Sequence, residues 1–485
     1  MLQKSSPFMK EANLIGGKWV QADSGATIDV INPANGQKIG TVPKGGKAET
    51  RRAIEAADEA FKSFRTTSAL QRSKWLRALH DAIMDNQDAL AELLTIEQGK
   101  SLTEAKGEVG SSAAYILWFA EEARRAYGDV VPSPWPDRRI IVTKEPVGVI
   151  AAITPWNFPS SMLSRKIGPA LAAGCTSVIK PASQTPYSGI AWGALCEEVG
   201  IPAGVVNVVT GSAAEIGEEL CTNPLVKKIT FTGSTEVGKK LIQMSASTVK
   251  KVSMELGGNA PFLVFDDADL DRAVEGAVTA KYRNSGQTCV CTNRFFVQAG
   301  IYDRFVEKFA AASARLKVGP GLDDGVQQGP LIDDKAVEKV EEFIEDAKAK
   351  GGKVETGGKR HELGGSFFEP TVISGATPKM KFMKEEIFGP VAPVFKFDRE
   401  EEAVALANDT EFGLACYFYT GDLGRAFRVM EGLKYGMVGV NEGLITTPEA
   451  PFGGVKESGL GREGGHQGIE DYLDTKYVCI GGLGL

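Results

Sequence analysis

Val147-Gly148-Val149-Ile150-Ala151-Ala152-Ile153 is a short apolar run that ends on Thr154-Pro155-Trp156-Asn157-Phe158-Pro159. A run of this length without polar alternation, stopped by prolines, reads as a strand covered on both faces. Amphipathic segments and short apolar runs then alternate. A helix is expected through Leu163 to Ala173, a strand at Thr176 to Ile179, a helix near Ser188 to Val199 and a strand at Val205 to Val209. A helix at Ala213 to Cys221 and a strand at Lys228 to Phe231 continue the pattern. Such alternation implies right-handed βαβ units and a doubly wound parallel sheet. Sheets of this kind bind ligands at the C-terminal ends of their strands, where Pro155-Trp156-Asn157, Lys180-Pro181-Ala182-Ser183 and Thr232-Gly233-Ser234 all fall.

Upstream, Ile54, Ala57, Phe61 and Phe64 have helical spacing, and Leu76, Leu79, Ile83, Leu90 and Leu94 extend the pattern over Lys74 to Leu94. Downstream of Gly257-Gly258 a second α/β segment is expected, with helices at Leu270 to Lys281 and Tyr302 to Leu316. Its strands are expected at Arg294 to Gln298, Phe368 to Ile373, Val391 to Phe397 and Cys416 to Thr420.

A chain of 485 residues, 43% hydrophobic and 24% charged, can bury more than one core. The formal net charge of -7 and the lack of a basic block disfavour nucleic acid as a partner. No apolar run approaches the roughly 20 residues that span a bilayer, and Met1 to Lys10 lack a signal-peptide core, so no membrane and a cytoplasmic location are expected. The seven cysteines are too sparse for a disulfide scaffold. His80, His361 and His466 are too scattered for a histidine-rich metal site or a Ser-His-Asp hydrolase, and no metal is expected.

The chemistry is carried by Gly286-Gln287-Thr288-Cys289-Val290-Cys291, by Met254-Glu255-Leu256-Gly257-Gly258-Asn259 and by Asn157. A thiolate can attack a carbonyl, an amide N–H can hold the resulting oxyanion, and a carboxylate can activate water against a thioester. Cys289 is expected in an exposed loop whose backbone N–H groups lower its pKa, against the alternative of a buried gap-filling cysteine. For Glu255 the alternative is a solvated surface carboxylate, and for Asn157 a helix-capping side chain. Gly233-Ser234-Thr235-Glu236-Val237-Gly238-Lys239-Lys240 is a near miss to a P-loop, with Lys240 where a Mg²⁺-binding hydroxyl is required. A P-loop nucleotide-binding protein is the different-class alternative.

These segments resemble the aldehyde dehydrogenase superfamily over nearly the whole chain. Cys289-Val290-Cys291, Arg165, Arg283 and Pro451-Phe452-Gly453-Gly454-Val455-Lys456-Glu457-Ser458-Gly459-Leu460-Gly461-Arg462 point to its branch acting on succinate semialdehyde. The resemblance implies a Rossmann-like cofactor domain at 1–124 and 144–255 and an α/β catalytic domain at 256–435. It further implies a substrate and anchor loop region at 436–465, and a small oligomerisation arm from 125–143 and 466–485 that makes a homodimer or homotetramer. Cys289 becomes the nucleophile, Glu255 the general base and Asn157 the oxyanion donor.

Phe231, Gly233, Ser234 and Gly238 match the family's cofactor motif, and Trp156, Lys180, Ser183, Glu386 and Phe388 complete the cofactor site. Many NAD-preferring relatives carry glutamate at the Ser183 position; serine removes its repulsion of a 2′-phosphate, so NADP is expected to be preferred over NAD. Arg165 and Arg283 would clamp the carboxylate of a small semialdehyde, with Thr446 or Thr447 as a third contact, against the alternative of ordinary surface ion pairs. Glutarate semialdehyde or another small aldehyde is the alternative substrate. Cys289 and Cys291 are a possible redox pair, with simple packing of Cys291 the alternative.

Overall fold

The computed structural model describes residues 7–483, so the start of the expected 1–124 segment and the end of the 466–485 segment lie outside the described residues. The first sheet has eight strands in the order Gly459–Leu460, Lys251–Glu255, Val226–Thr232, Val149–Ile153, Thr176–Lys180, Val206–Val208, Asn13–Ile15, Lys18–Val20. From Lys251–Glu255 to Val206–Val208 every pairing is parallel, and the flanking strands are antiparallel. Chain order reverses between Val149–Ile153 and Val226–Thr232, which makes that crevice the switch point where a doubly wound sheet opens for a ligand.

All five residues of Val149–Ile153 are buried, as an apolar run flanked on both faces requires. The helix that follows, Ser161–Ala173, is buried along its whole length. It packs on helix Leu102–Glu122 through Gly168, where a Cβ would stand 2.9 Å from the Phe119 ring. That close approach brings two site-bearing helices together.

The second sheet has seven strands in the order Lys353–Thr356, Thr371–Ala376, Val391–Phe397, Thr292–Gln298, Ala260–Val264, Ala415–Tyr419, Met437–Val440. Only the Lys353–Thr356 pairing is antiparallel. Apolar clusters cover both faces, one around Phe296, Phe343 and Phe382, the other around Phe262, Phe295 and Phe309. The sheet runs past residue 435, because Met437–Val440 is its edge strand. The chain crosses from the first sheet to the second through Leu256-Gly257-Gly258-Asn259, so Glu255 ends one sheet just before Ala260 begins the other.

A separate antiparallel sheet joins Asp129–Val131, Arg139–Pro146 and Leu473–Ile480. The helical spacing over Lys74 to Leu94 is carried by two helices, Ala69–Asp85 and Gln87–Gln98. They meet at Asn86, whose side-chain amide donates to the Ala82 carbonyl and turns the chain.

Candidate active site

Helix Leu270–Tyr282 ends at Arg283, and Asn284, Ser285 and Gly286 then take left-handed backbone angles, with φ of 52°, 57° and 76°. Two of these residues are not glycine, so the turn carries strain that surrounding contacts must hold. It delivers Cys289 against the Leu256–Asn259 crossing. A Cβ on Gly258 would lie 2.5 Å from the Cys289 carbonyl oxygen, which is why glycine is needed there.

Cys289 is half-buried rather than exposed, and its thiol is not lowered as the loop setting suggested. Burial pushes it up to about 12, the Glu386 carboxylate adds to this, and the Arg165 guanidinium opposes it. The thiol therefore needs a proton acceptor. Cys291 is a separate free thiol, buried, with its sulfur donating to the Lys281 carbonyl at 3.4 Å. It lines neither of the two large cavities at Cys289.

Asn157 is buried in the turn that follows strand Val149–Ile153, and the N-cap position of the next helix is Ser160 rather than Asn157. Asn157 Nδ2 donates to the Gln287 carbonyl at 3.0 Å, which leaves its second N–H uncommitted. Glu255 is also buried, and neither carboxylate oxygen has a hydrogen-bond partner among the described residues. Desolvation, and after it the charge of Glu463, raises its pKa well above the carboxylate range against the pull of Lys166, Arg165 and Arg462. Glu463, which no local pattern in the sequence singles out, accepts from the fully buried Lys166 at 2.5 Å.

Two cavities meet at Cys289 and Met162. The larger, about 620 Å³, opens at the switch point and is lined by Trp156, Asn157, Lys180, Ser183, Gly233, Ser234, Glu386 and Phe388. Ser234 caps helix Thr235–Ser245, whose N-terminus suits a pyrophosphate. The Lys180 amine, brought down to about 8 by burial, donates to the Pro181 carbonyl at 3.0 Å and keeps protons for a further acceptor. Burial raises Glu386 to about 7, and Gly258 N donates to it at 3.0 Å. Trp156 and Phe388 meet edge to face at 5.6 Å. These features fit a dinucleotide. Gly238 is not in this wall: a Cβ there would meet Leu256 at 2.4 Å, so it serves helix-to-sheet packing. Lys335 and Lys339 are in the wall and were not legible from any motif.

The smaller cavity, about 450 Å³, is lined by Arg165, Arg283, Thr446, Phe452, Glu104 and Cys289 among others. Arg165 is buried, with its guanidinium 4.7 Å from the Tyr115 ring centre and 4.4 Å from that of Phe452. Its Nε and Nη1 have no hydrogen-bond partner, and its nearest acid, Glu463, is 4.0 Å away. A surface ion pair is thereby ruled out for Arg165. Thr447 is outside the lining: it is exposed, and its hydroxyl pairs with Glu449.

A thiol standing where a dinucleotide cavity meets a substrate cavity defines a class: oxidoreductases that work through a covalent enzyme adduct. The chain belongs to the aldehyde dehydrogenase family, whose sequence pattern matches residues 19–478, and it is an NAD(P)-dependent enzyme of that family. It is 60% identical to a glutarate-semialdehyde dehydrogenase of Pseudomonas aeruginosa, covering 100% of each chain. It is 58% identical to an NADP(+) succinate-semialdehyde dehydrogenase of Escherichia coli, covering 99% of each. The solved structure of an NADP-dependent Escherichia coli enzyme superimposes with a TM-score of 0.98 at 58% identity, over 98% of this chain and 99% of that one. Among the described residues no helix is long and apolar enough to cross a membrane.

Proposed function

We propose that this enzyme oxidises succinate semialdehyde to succinate, using NADP in preference to NAD. One observation carries the substrate: the buried guanidinium of Arg165, in the wall of the cavity that ends at Cys289, has no hydrogen-bond acceptor for Nε and Nη1 and only a 4.0 Å ion pair with Glu463. Leaving buried N–H donors without an acceptor is costly, and a substrate carboxylate satisfies them. Arg283 lines the same cavity and supplies a second cation.

Glu255 takes the Cys289 thiol proton and passes it to solvent, the resulting thiolate attacks the aldehyde carbon, and Asn157 Nδ2 with the Cys289 N–H holds the oxyanion. NADP or NAD, when bound, supplies the hydride acceptor that leaves a thioester on Cys289. Glu255 then takes a proton from water attacking the thioester, releasing the acid and the free thiol. Burial raises its pKa, which makes the ionised carboxylate a stronger proton acceptor than a solvated one.

Ser183 and Lys180 together line the larger cavity, with no carboxylate at the Ser183 position to repel a 2′-phosphate. The Escherichia coli relative named for NADP(+) supports the same reading. Glutarate semialdehyde is the second reading, favoured by the Pseudomonas aeruginosa relative. One methylene separates the two substrates, a difference typically worth about 1–3 kcal/mol. The three-stranded arm exposes Tyr127, Val130 and Tyr477, which supports assembly into a homodimer or homotetramer.

Formation of reduced cofactor with succinate semialdehyde, glutarate semialdehyde and an uncharged aldehyde, each with NADP and NAD, tests the proposal. The highest kcat/KM is expected for succinate semialdehyde with NADP. Equal turnover of the uncharged aldehyde would remove the carboxylate site and leave the oxidation chemistry intact.

A further inference from the structure

Lys100 and Glu108 form an ion pair at 2.6 Å whose side chains are 0% and 1% exposed. A pair so completely removed from water is weak evidence for stability, because desolvation offsets the attraction. The bonds it makes point instead to the reacting centre. Lys100 Nζ donates to the Asn157 carbonyl at 2.8 Å and lies 3.7 Å from the Phe158 ring centre. Glu108 Oε1 accepts from Ser160 N at 2.9 Å and Ser161 N at 3.1 Å. It thus closes the start of the helix that carries Arg165, where Ser160 provides no side-chain cap.

One helical turn before Glu108, Glu104 accepts from Asn284 N at 2.7 Å. Asn284 is the first of the left-handed residues leading to Cys289, and its Nδ2 donates to the Asn157 carbonyl at 2.9 Å and to the Gln287 carbonyl at 3.3 Å. Gln287 O is the same atom that accepts from the Asn157 side chain. The two loops bearing the oxyanion donors are therefore tied to one another and to a single helix face.

We propose that Lys100 and Glu108, bonded directly to the turn from Asn157 to Ser161, and Glu104, acting through Asn284, are positioning residues that align the Asn157 amide with the Cys289 N–H. The proposal rests on Asn157 being the oxyanion donor. In this role none of these residues transfers a proton or bonds to substrate, although Glu104 and Glu108 also line the substrate cavity. Misplacing an oxyanion donor slows formation of the adduct while leaving substrate binding nearly intact.

The test compares Glu104→Ala, Glu104→Gln, Asn284→Gly and Asn157→Ala with the wild type in steady-state and single-turnover formation of reduced cofactor. Asn284→Gly keeps the backbone N–H and relaxes the left-handed turn, so it folds even if Glu104→Ala does not. Glu104→Ala and Asn284→Gly are expected to lower kcat and the single-turnover rate on the order of 10- to 100-fold, with KM for the aldehyde within about threefold. Glu104→Gln retains an oxygen acceptor for Asn284 N and is expected to restore most of the rate. Unchanged kcat in Glu104→Ala or Asn284→Gly, alongside a collapse in Asn157→Ala, would overturn the positioning network alone. A loss in Glu104→Ala that Gln does not rescue, or that appears only as reduced folded protein, would overturn it as well. An Asn157→Ala enzyme with full activity would instead remove the oxyanion assignment itself.

Discussion

The two cavities that meet at Cys289 are built in different ways. The cofactor cavity is written in contiguous pieces, each a strand end followed by its turn: Trp156 and Asn157, Lys180 and Ser183, Gly233 and Ser234. The substrate cavity takes its walls from helix Leu102–Glu122, helix Ser161–Ala173, helix Leu270–Tyr282 and the loop carrying Thr446 and Phe452. A cavity made of repeated strand-end turns binds the part of the reaction that does not change. One made of distant side chains can be retuned residue by residue.

That contrast can be broken most severely at the point the cavities share. Cys289→Ala is expected to abolish oxidation by a factor on the order of 10⁴ or more while leaving NADP binding, read by fluorescence titration, unchanged. Glu255→Gln should lower kcat on the order of 10²–10³-fold through slow thioester hydrolysis, with single-turnover formation of reduced cofactor less affected. The wild-type rate should rise with pH as the raised Glu255 pKa is passed, because only the ionised carboxylate accepts a proton. Glu255→Gln should lose that limb of the pH–rate profile.

Two substitutions separate the cavities. Arg165→Met should cost about 100-fold in kcat/KM for succinate semialdehyde and little for an uncharged aldehyde. Equal losses for both aldehydes would show that Arg165 supports the cavity without reading the carboxylate. Ser183→Glu should act only on the cofactor side, moving the NADP-to-NAD ratio of kcat/KM toward NAD by about tenfold at a constant response to aldehyde. A ratio that does not move would place the 2′-phosphate away from Ser183.

Most of the parallel strands were legible as apolar runs stopped by Pro, Gly or a polar turn, and Val391–Phe397 lies where the pattern placed it, but Lys251–Glu255, Ala260–Val264 and Met437–Val440 were not read as strands. The helix break at Asn86 was not legible, because apolar spacing persists across it. The thiol of Cys289 was misjudged for a related reason. Backbone N–H groups in an open loop can lower a thiol pKa, but here the Leu256–Asn259 crossing and the Glu386 segment bury the loop, and desolvation outweighs the pull of Arg165 and Arg283. Gly238 looked like a cofactor glycine from its motif, yet the contact that excludes a side chain there is with Leu256. Thr446 and Thr447 were indistinguishable as neighbours, and only the course of the loop turns one into the cavity and the other toward Glu449.

By itself the sequence determined the doubly wound architecture, the rim on which the cofactor motifs converge, and the three groups needed for covalent oxidation. Those properties follow from local periodicity and residue chemistry, which act over a few neighbours. Tertiary structure alone decided that Lys166 and Glu463, 297 positions apart, would face Glu255, and that Lys100 would reach the Asn157 carbonyl. It also decided that Arg165 would be enclosed by Tyr115 and Phe452 with no hydrogen-bond acceptor for Nε or Nη1. Burial and charge proximity set these outcomes, and both depend on which distant surfaces the packed helices and sheets bring within a few ångströms.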